Sequence, residues 1–157
     1  MKRRSALGKD LFLFYIGFTN YLAVELLYRG RSHWSMGILG GICFLIVGGL
    51  NARCGWEFDL ALQMLLSAGI ITVLEFLTGY LLNVRLGLGI WDYSRLPYQL
   101  MGQISLYYSL LWVPLSLVGI MLDDWLRYFL FREEKPHYLF FGIKLGDWAC
   151  CNEKLKK

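Results

Sequence analysis

Charged residues are scarce in this chain. Asp, Glu, Lys and Arg make up 18% of its 157 residues, whereas soluble domains average about 25%. The scarcity is concentrated, because four segments near residues 11–28, 35–52, 60–82 and 104–122 are almost free of charge. Helices of this kind lack the polar outer faces that soluble helices present to water. A soluble helical bundle is therefore disfavoured.

Motifs for nucleotide hydrolysis and for metal binding are also missing. No GxxxxGK(S/T) loop occurs, so we expect no ATP site on this chain. No HExxH motif and no paired CxxC motif is present, so we expect no metal and no cofactor. His33 and His137 stand alone, and no serine has a recognisable base beside it. These absences favour a protein that is not an enzyme.

What the sequence does contain is hydrophobic residues, which make up 57% of the chain. Each uncharged segment approaches the roughly 20 apolar residues that a helix needs to cross a bilayer core of about 30 Å. The pattern predicts an all-α, multi-pass membrane protein with four transmembrane helices in residues 1–122. Residues 123–157 mix aromatic and charged residues too densely for a span. We interpret them as an amphipathic interfacial tail that is broken at Pro136.

Basic residues are distributed unevenly between the two predicted sides. With four spans both termini share a side with Arg53, and that side holds twelve of the 16 basic residues. The positive-inside rule then places both termini in the cytoplasm and the protein in the cell membrane. The net charge of +4 favours contact with anionic lipid headgroups over binding to nucleic acid. None of Cys43, Cys54, Cys150 and Cys151 falls on the oxidising side, so we expect free thiols.

Two glutamates lie inside predicted spans, where ionisable residues are costly and commonly functional. Glu25 and Glu75 both lie near the outer ends of their helices, so we predict an outer polar cluster. The cluster is either a pocket for a headgroup, a peptide end or an ion, or a set of buried ion pairs that fixes helix order. We expect Glu75 and Asp92 to be linked there through an arginine. The candidate members are Glu25, Arg29, Glu75, Arg85, Trp91, Asp92 and Arg95.

The stretch GIWDYSRLPYQLMGQ, residues 89–103, separates the third and fourth spans. Its polar residues predict a re-entrant or interfacial outer loop, because non-helical backbone at membrane depth needs protein or water to satisfy it. The second span has a different feature: Gly37, Gly41 and Gly48 share one face. Such glycines permit close helix packing, within the chain or with another copy.

Residues 75–112 resemble the bacterial membrane proteins called putative ABC-transporter type IV, or putative ABC transporter permeases. The family pattern is a Glu and a Gly in one span, then Trp-Asp-Tyr-Ser, a proline, and an element of Gly, Gln or Tyr, and Ile that opens the next span. These elements correspond here to Glu75, Gly79, residues 91–94, Pro97 and residues 102–104. The family's Gly-Pro and Pro-x-Tyr-Gly elements are absent from this chain. The resemblance implies a function in transport.

Three functions are compatible with the sequence. The leading one is a small permease-like membrane protein, a transport-associated subunit that depends on a separate ATPase subunit. With only four spans, it is expected to form a homo-oligomer or join a larger complex among membrane lipids. The first alternative is an intramembrane enzyme that acts on lipid headgroups, with Glu25, Glu75 or Asp92 as acid or base and arginines binding phosphate. The second is a non-transporting membrane partner that regulates another protein.

Overall fold

The chain folds into a helical bundle. We describe it from a computed structural model, which covers residues 2–145, with side chains from residue 7 onward. The thiols predicted at Cys150 and Cys151 lie outside the described residues. The helices are α1 (Lys2–Arg29), α2 (Trp34–Gly48), α3 (Leu50–Cys54), α4 (Leu60–Gly79) and α5 (Leu106–Phe131).

Four helical stretches are long and apolar enough to cross a membrane: Leu7–Arg29, Trp34–Cys54, Leu60–Arg85 and Leu106–Phe131. The prediction of an all-α, multi-pass membrane protein with four transmembrane helices is therefore confirmed. The fourth stretch continues to Phe131, beyond the expected end of the span near residue 122. Asp123 and Arg127 lie in this extension and are buried, so their charges do not end the helix.

The two ends of the bundle differ in what they contain. At one end α1 begins and α5 finishes, and Lys9 contacts Glu133 there. We call this the terminal end. At the opposite end, Tyr28 of α1 meets Tyr108 of α5, and the connection between α4 and α5 covers the helices. We call this the loop end.

The predicted glycine face of α2 packs inside the chain. A methyl group added to Gly37 would lie 2.6 Å from the ring of Phe18, and one added to Gly41 would lie 2.6 Å from the ring of Phe14. Gly48 lies against the side chain of Asp123 on α5. Because α1 and α5 occupy this face, a contact between copies of the chain would have to use another one.

The connection between α4 and α5 is held by half-buried Asn83 and by buried Trp91 and Gln103. It begins with a π-helical turn, Tyr80–Arg85. Asn83 donates hydrogen bonds of 3.0 Å to the carbonyl of Trp91 and 2.8 Å to the side-chain oxygen of Gln103. The indole of Trp91 is buried and donates a 2.9 Å hydrogen bond to the carbonyl of Gln103. The loop is thus fixed against the bundle.

Two small antiparallel sheets complete the structure. Strand β1 (Gln99–Leu100) pairs with β2 (Ile104–Ser105), immediately before α5. Strand β3 (Tyr138–Phe140) pairs with β4 (Ile143–Leu145). The described part of the predicted tail is therefore the last turns of α5, a short connection that contains buried Pro136, and this hairpin.

Candidate functional site

The last turns of α1 present a charged pair to the loop end. Glu25 is buried, and its Oε1 lies 3.4 Å from Nη1 of Arg29, one helical turn later. The hydroxyl of Ser32 donates a 2.5 Å hydrogen bond to the other carboxylate oxygen. Residues four apart share a helix face, so α1 itself positions the pair, and the turn into α2 brings Ser32 back to it.

Tyr93 connects this pair to the second buried glutamate. Nη2 of Arg29 donates a 2.8 Å hydrogen bond to the Tyr93 hydroxyl, which in turn donates one of 3.1 Å to Oε1 of Glu75. The indole of Trp112 donates a 3.1 Å hydrogen bond to the other oxygen of Glu75. Burial, followed by the negative charge of Glu75, raises the pKa of Tyr93, so its hydroxyl keeps the proton that it donates. We call Glu25, Arg29, Glu75, Tyr93 and Trp112 the loop-end cluster.

Three of the predicted site residues meet in this cluster: Glu25, Arg29 and Glu75. Asp92 does not join them, because its carboxylate is exposed and accepts hydrogen bonds from the backbone and hydroxyl of Ser94. These two bonds lower the pKa of Asp92. The expected link between Glu75 and Asp92 is therefore not part of this structure. Trp91 and Tyr93 are buried and Asp92 between them is exposed, so this part of the loop turns its neighbouring side chains to opposite sides.

The remaining predicted residues have other surroundings. Trp91 packs against Gly79 and anchors the loop. Among the described residues, it forms no hydrogen bond with Glu25 or Glu75. The guanidinium of Arg85 lies 5.8 Å from the ring centre of Tyr80. Arg95 is exposed and forms no ion pair with any described residue.

A cavity of about 430 Å³ opens between α1, α2 and α5 next to the loop-end cluster. Phe12 and Phe131 close the gap between α1 and α5 at the terminal end, where their ring centres are 5.9 Å apart. Tyr28 and Tyr108 bridge it at the loop end, with their hydroxyl oxygens 3.3 Å apart. Between these contacts the cavity is the space that the two helices leave open.

The cavity is mostly apolar and is charged at one end. Its charged lining residues are Glu25 and Arg29. The rest of the lining is mostly aliphatic, aromatic or small, as at Val47 and Gly119, and also includes the polar side chain of Asn20. Pockets for small molecules combine these two features, since apolar walls supply affinity and a few polar groups fix orientation. The arrangement is suited to a molecule with a polar head and an apolar body.

The terminal end holds a second buried polar cluster. Asn51 donates a 2.6 Å hydrogen bond to Asp124, and Gln63 donates one of 2.7 Å to the side-chain oxygen of Asn51. Asp123 and Arg127 form an ion pair on the next face of α5. All five side chains are buried. We call them the terminal-end cluster.

Sequence reasoning missed the terminal-end cluster and two members of the loop-end cluster, Tyr93 and Trp112. The signal for the first was present: Asp123 and Arg127 are four residues apart, a spacing that pairs charges on one helix face. A polar row on the predicted third span also contains Gln63. For Tyr93 no local pattern distinguished it from the exposed aromatic residues of the same loop.

One histidine contacts a serine hydroxyl. Nδ1 of His33 lies 2.8 Å from Oγ of Ser35, at the start of α2. The backbone N–H of Ser35 also donates to Nδ1, at 3.3 Å. His33 is the N-cap of α2, so the contact has a structural role at the helix start.

One protein-family model matches nearly the whole bundle. The model of the family described as putative ABC-transporter type IV matches residues 12–141. This range includes every member of both polar clusters and the cavity between α1 and α5. No curated protein and no solved structure matches the chain significantly. The chain belongs to the putative ABC-transporter type IV family.

Proposed function

We propose that the chain is a transport-associated membrane subunit that takes an amphipathic substrate from the bilayer into the cavity between α1 and α5. The cavity is the observation that supports this function most directly, because it combines a long apolar part, the apolar slot, with the charged pair Glu25 and Arg29 at one end. Its volume of about 430 Å³ falls within the roughly 300–1,000 Å³ of small-molecule sites. Family membership supports a role in transport.

The energy for transport comes, in this proposal, from a separate ATPase subunit. The sequence has no phosphate-cradling loop, and four spans form only a small bundle. The chain then works in the cell membrane of a bacterium as a homo-oligomer or within a larger complex, with both termini in the cytoplasm. Purified chain alone is expected to hydrolyse no ATP above the background of a mock purification, and specific turnover by the chain itself would contradict this part.

Blocking the cavity tests the proposed substrate site. A Cβ at Gly119 would meet no atom within 4 Å, so Gly119→Phe places a ring in the slot without a backbone clash. Gly69→Phe is the matched control, since Gly69 is equally open but lies on α4, away from this cavity. We expect wild type and Gly69→Phe to bind dodecanol in lipid nanodiscs, measured by native mass spectrometry, and Gly119→Phe to lose that binding. Equal binding by all three proteins would contradict the proposal.

The second candidate function is an enzyme that acts on lipid headgroups. Its support is the 2.8 Å contact between His33 and Ser35, which has the composition of a base and a nucleophile, close in sequence to Glu25. Incubation of the protein with phospholipid vesicles, followed by lipid mass spectrometry, separates the two functions. We expect an unchanged lipid composition, whereas a product that disappears in Ser35→Ala would establish the enzyme.

A further inference from the structure

We infer that the cavity between α1 and α5 selects amphiphiles with a cationic head, a protonated amine or a quaternary ammonium group. This inference rests on the proposed function and names the substrate class of the same cavity. Three features of the loop-end cluster support it: the balance of charge, the ring faces around the opening, and the place of the carboxylate. Each is independent of the others.

The charges of the loop-end cluster do not balance. Glu25 and Glu75 share a single guanidinium, that of Arg29. The next basic residue, Arg31, is exposed and forms no ion pair with any described residue. With both carboxylates ionised, the cluster carries one negative charge that no described cation neutralises. A buried charge is costly unless it is paired, so a cationic ligand stabilises this arrangement and an anionic one opposes it.

Aromatic rings surround the charged end of the cavity. Tyr28, Tyr93 and Tyr108 line it at the loop end, and Tyr21 and Trp112 follow further in. Tyr93 and Tyr108 are stacked, with ring centres 4.5 Å apart, and the guanidinium of Arg29 lies 5.6 Å from the ring centre of Tyr93. The face of an aromatic ring attracts cations, and cages of such rings are the usual way in which proteins recognise quaternary ammonium groups. The lining thus already holds one cation, Arg29, against Tyr93. The exposed ring of Tyr28 is available to a second one, which favours a ligand cation over an alcohol or an acid of the same length.

Glu25 is the carboxylate within reach of the ligand. It lines the cavity, while Glu75 lies behind Tyr93 and Trp112, which hydrogen-bond to it. When the head of the ligand lies beside Glu25, its tail extends along the apolar part of the cavity towards Gly119. The head therefore contacts Glu25 and the tyrosine faces, and the tail contributes affinity that does not depend on head charge.

The experiment compares three probes with one tail: dodecylamine, dodecanol and dodecanoate. Binding of each to the full chain in nanodiscs is measured by native mass spectrometry at neutral pH. We expect dodecylamine to bind at least tenfold more tightly than dodecanol, and dodecanoate to bind most weakly. In Glu25→Gln we expect the preference for the amine to disappear while dodecanol binding is unchanged. Glu57→Gln is the matched control, since Glu57 is exposed on the segment between α3 and α4.

A second pair of variants tests the aromatic faces even if Glu25→Gln does not fold. Tyr28 is 68% exposed, so its replacement leaves the packing of the bundle intact. Tyr28→Leu removes the ring, and Tyr28→Phe keeps it while removing the hydroxyl. We expect weaker amine binding in Tyr28→Leu alone, with dodecanol binding equal in both. Equal amine binding by the two variants would overturn the contribution of the ring face.

The failure of this inference differs from the failure of the proposed function. If all three probes bind equally, or dodecanoate binds best, and Gly119→Phe abolishes binding, the cation preference is overturned and the substrate cavity stands. If Gly119→Phe changes the binding of none of the probes, both the cavity function and its cation preference are overturned.

Discussion

The hydroxyl of Tyr93 lies 3.1 Å from Oε1 of Glu75, although Tyr93 belongs to a loop and Glu75 to the buried face of α4. The same hydroxyl accepts a 2.8 Å hydrogen bond from Arg29 of α1. One phenol group thus connects two transmembrane helices and the loop that covers them. Because the guanidinium of Arg29 is charged, the hydrogen bond that it donates belongs to the stronger class of hydrogen bonds.

Removal of this hydroxyl is expected to destabilise the protein. Tyr93→Phe leaves Glu75 and Arg29 each without one buried partner, and an unsatisfied buried group costs about 1–3 kcal/mol, more when it is charged. We expect a lower melting temperature in detergent, measured by differential scanning fluorimetry. Tyr98→Phe is the control, since Tyr98 is in the same loop but is 83% exposed. Equal melting temperatures of the two variants would show that the hydroxyl contributes nothing to stability.

The ion pair in the terminal-end cluster leads to a second prediction. Asp123 is fully buried and pairs with Arg127, which also lies 3.9 Å from Glu133. Loss of one partner of a buried pair costs about 3–5 kcal/mol, because the other charge stays buried alone. Asp123→Asn and Arg127→Gln are each expected to lower the free energy of unfolding by several kcal/mol.

The double variant separates pairing from packing. If the two residues stabilise the protein as a pair, Asp123→Asn combined with Arg127→Gln loses less stability than the two single changes add up to. Chemical unfolding in detergent, monitored by the far-ultraviolet signal of the helices, gives the three values. Strictly additive losses would mean that Asp123 and Arg127 act independently.

The sequence predicted the helices well because a transmembrane helix has a strong local signature: about twenty residues without charge. It also identified Glu25, Arg29 and Glu75, because ionisable residues stand out in such segments. Tyr93 was not identified, since its role depends on which side chains of the loop face the interior of the bundle. Asp123 and Arg127 were assigned to an interfacial tail although their spacing allows an ion pair on one helix face, because their burial against α2 depends on tertiary packing, which local composition does not reveal.

Replacement of Gly37 or Gly41 on α2 is expected to change stability in the opposite direction from replacement of Gly119, which lines the cavity on α5. A methyl group at Gly37 or Gly41 would lie 2.6 Å from a phenylalanine ring of α1, whereas one at Gly119 meets nothing within 4 Å. Gly37→Ala and Gly41→Ala therefore force α1 and α2 apart, and overpacking of this kind costs about 1–3 kcal/mol. Gly119→Ala is expected to be neutral or stabilising, because alanine favours helix by about 1 kcal/mol over glycine. Thermal unfolding of the three variants checks this, and a Gly119→Ala protein as unstable as Gly37→Ala would contradict it.

The orientation of the bundle is the last prediction. Lys9 and Glu133 are joined at the terminal end by a 2.5 Å ion pair, so the start of α1 and the end of α5 lie together. Twelve of the 16 basic residues belong to that end or to the terminal segments of the sequence, so the positive-inside rule predicts that this end faces the cytoplasm. Exposed Cys54 also belongs to that end, while exposed Arg95 belongs to the loop end.

Cysteine labelling in intact cells tests this orientation. Both test proteins carry serine at positions 150 and 151, and Cys43 is retained because it is buried. The first keeps Cys54, and the second combines Cys54→Ser with Arg95→Cys. A membrane-impermeant maleimide is expected to label the Arg95→Cys protein in intact cells, and to label Cys54 only after the membrane is permeabilised. Labelling of Cys54 in intact cells would reverse the orientation, and labelling of both positions there would mean that the chain does not place its two ends on opposite sides of the membrane.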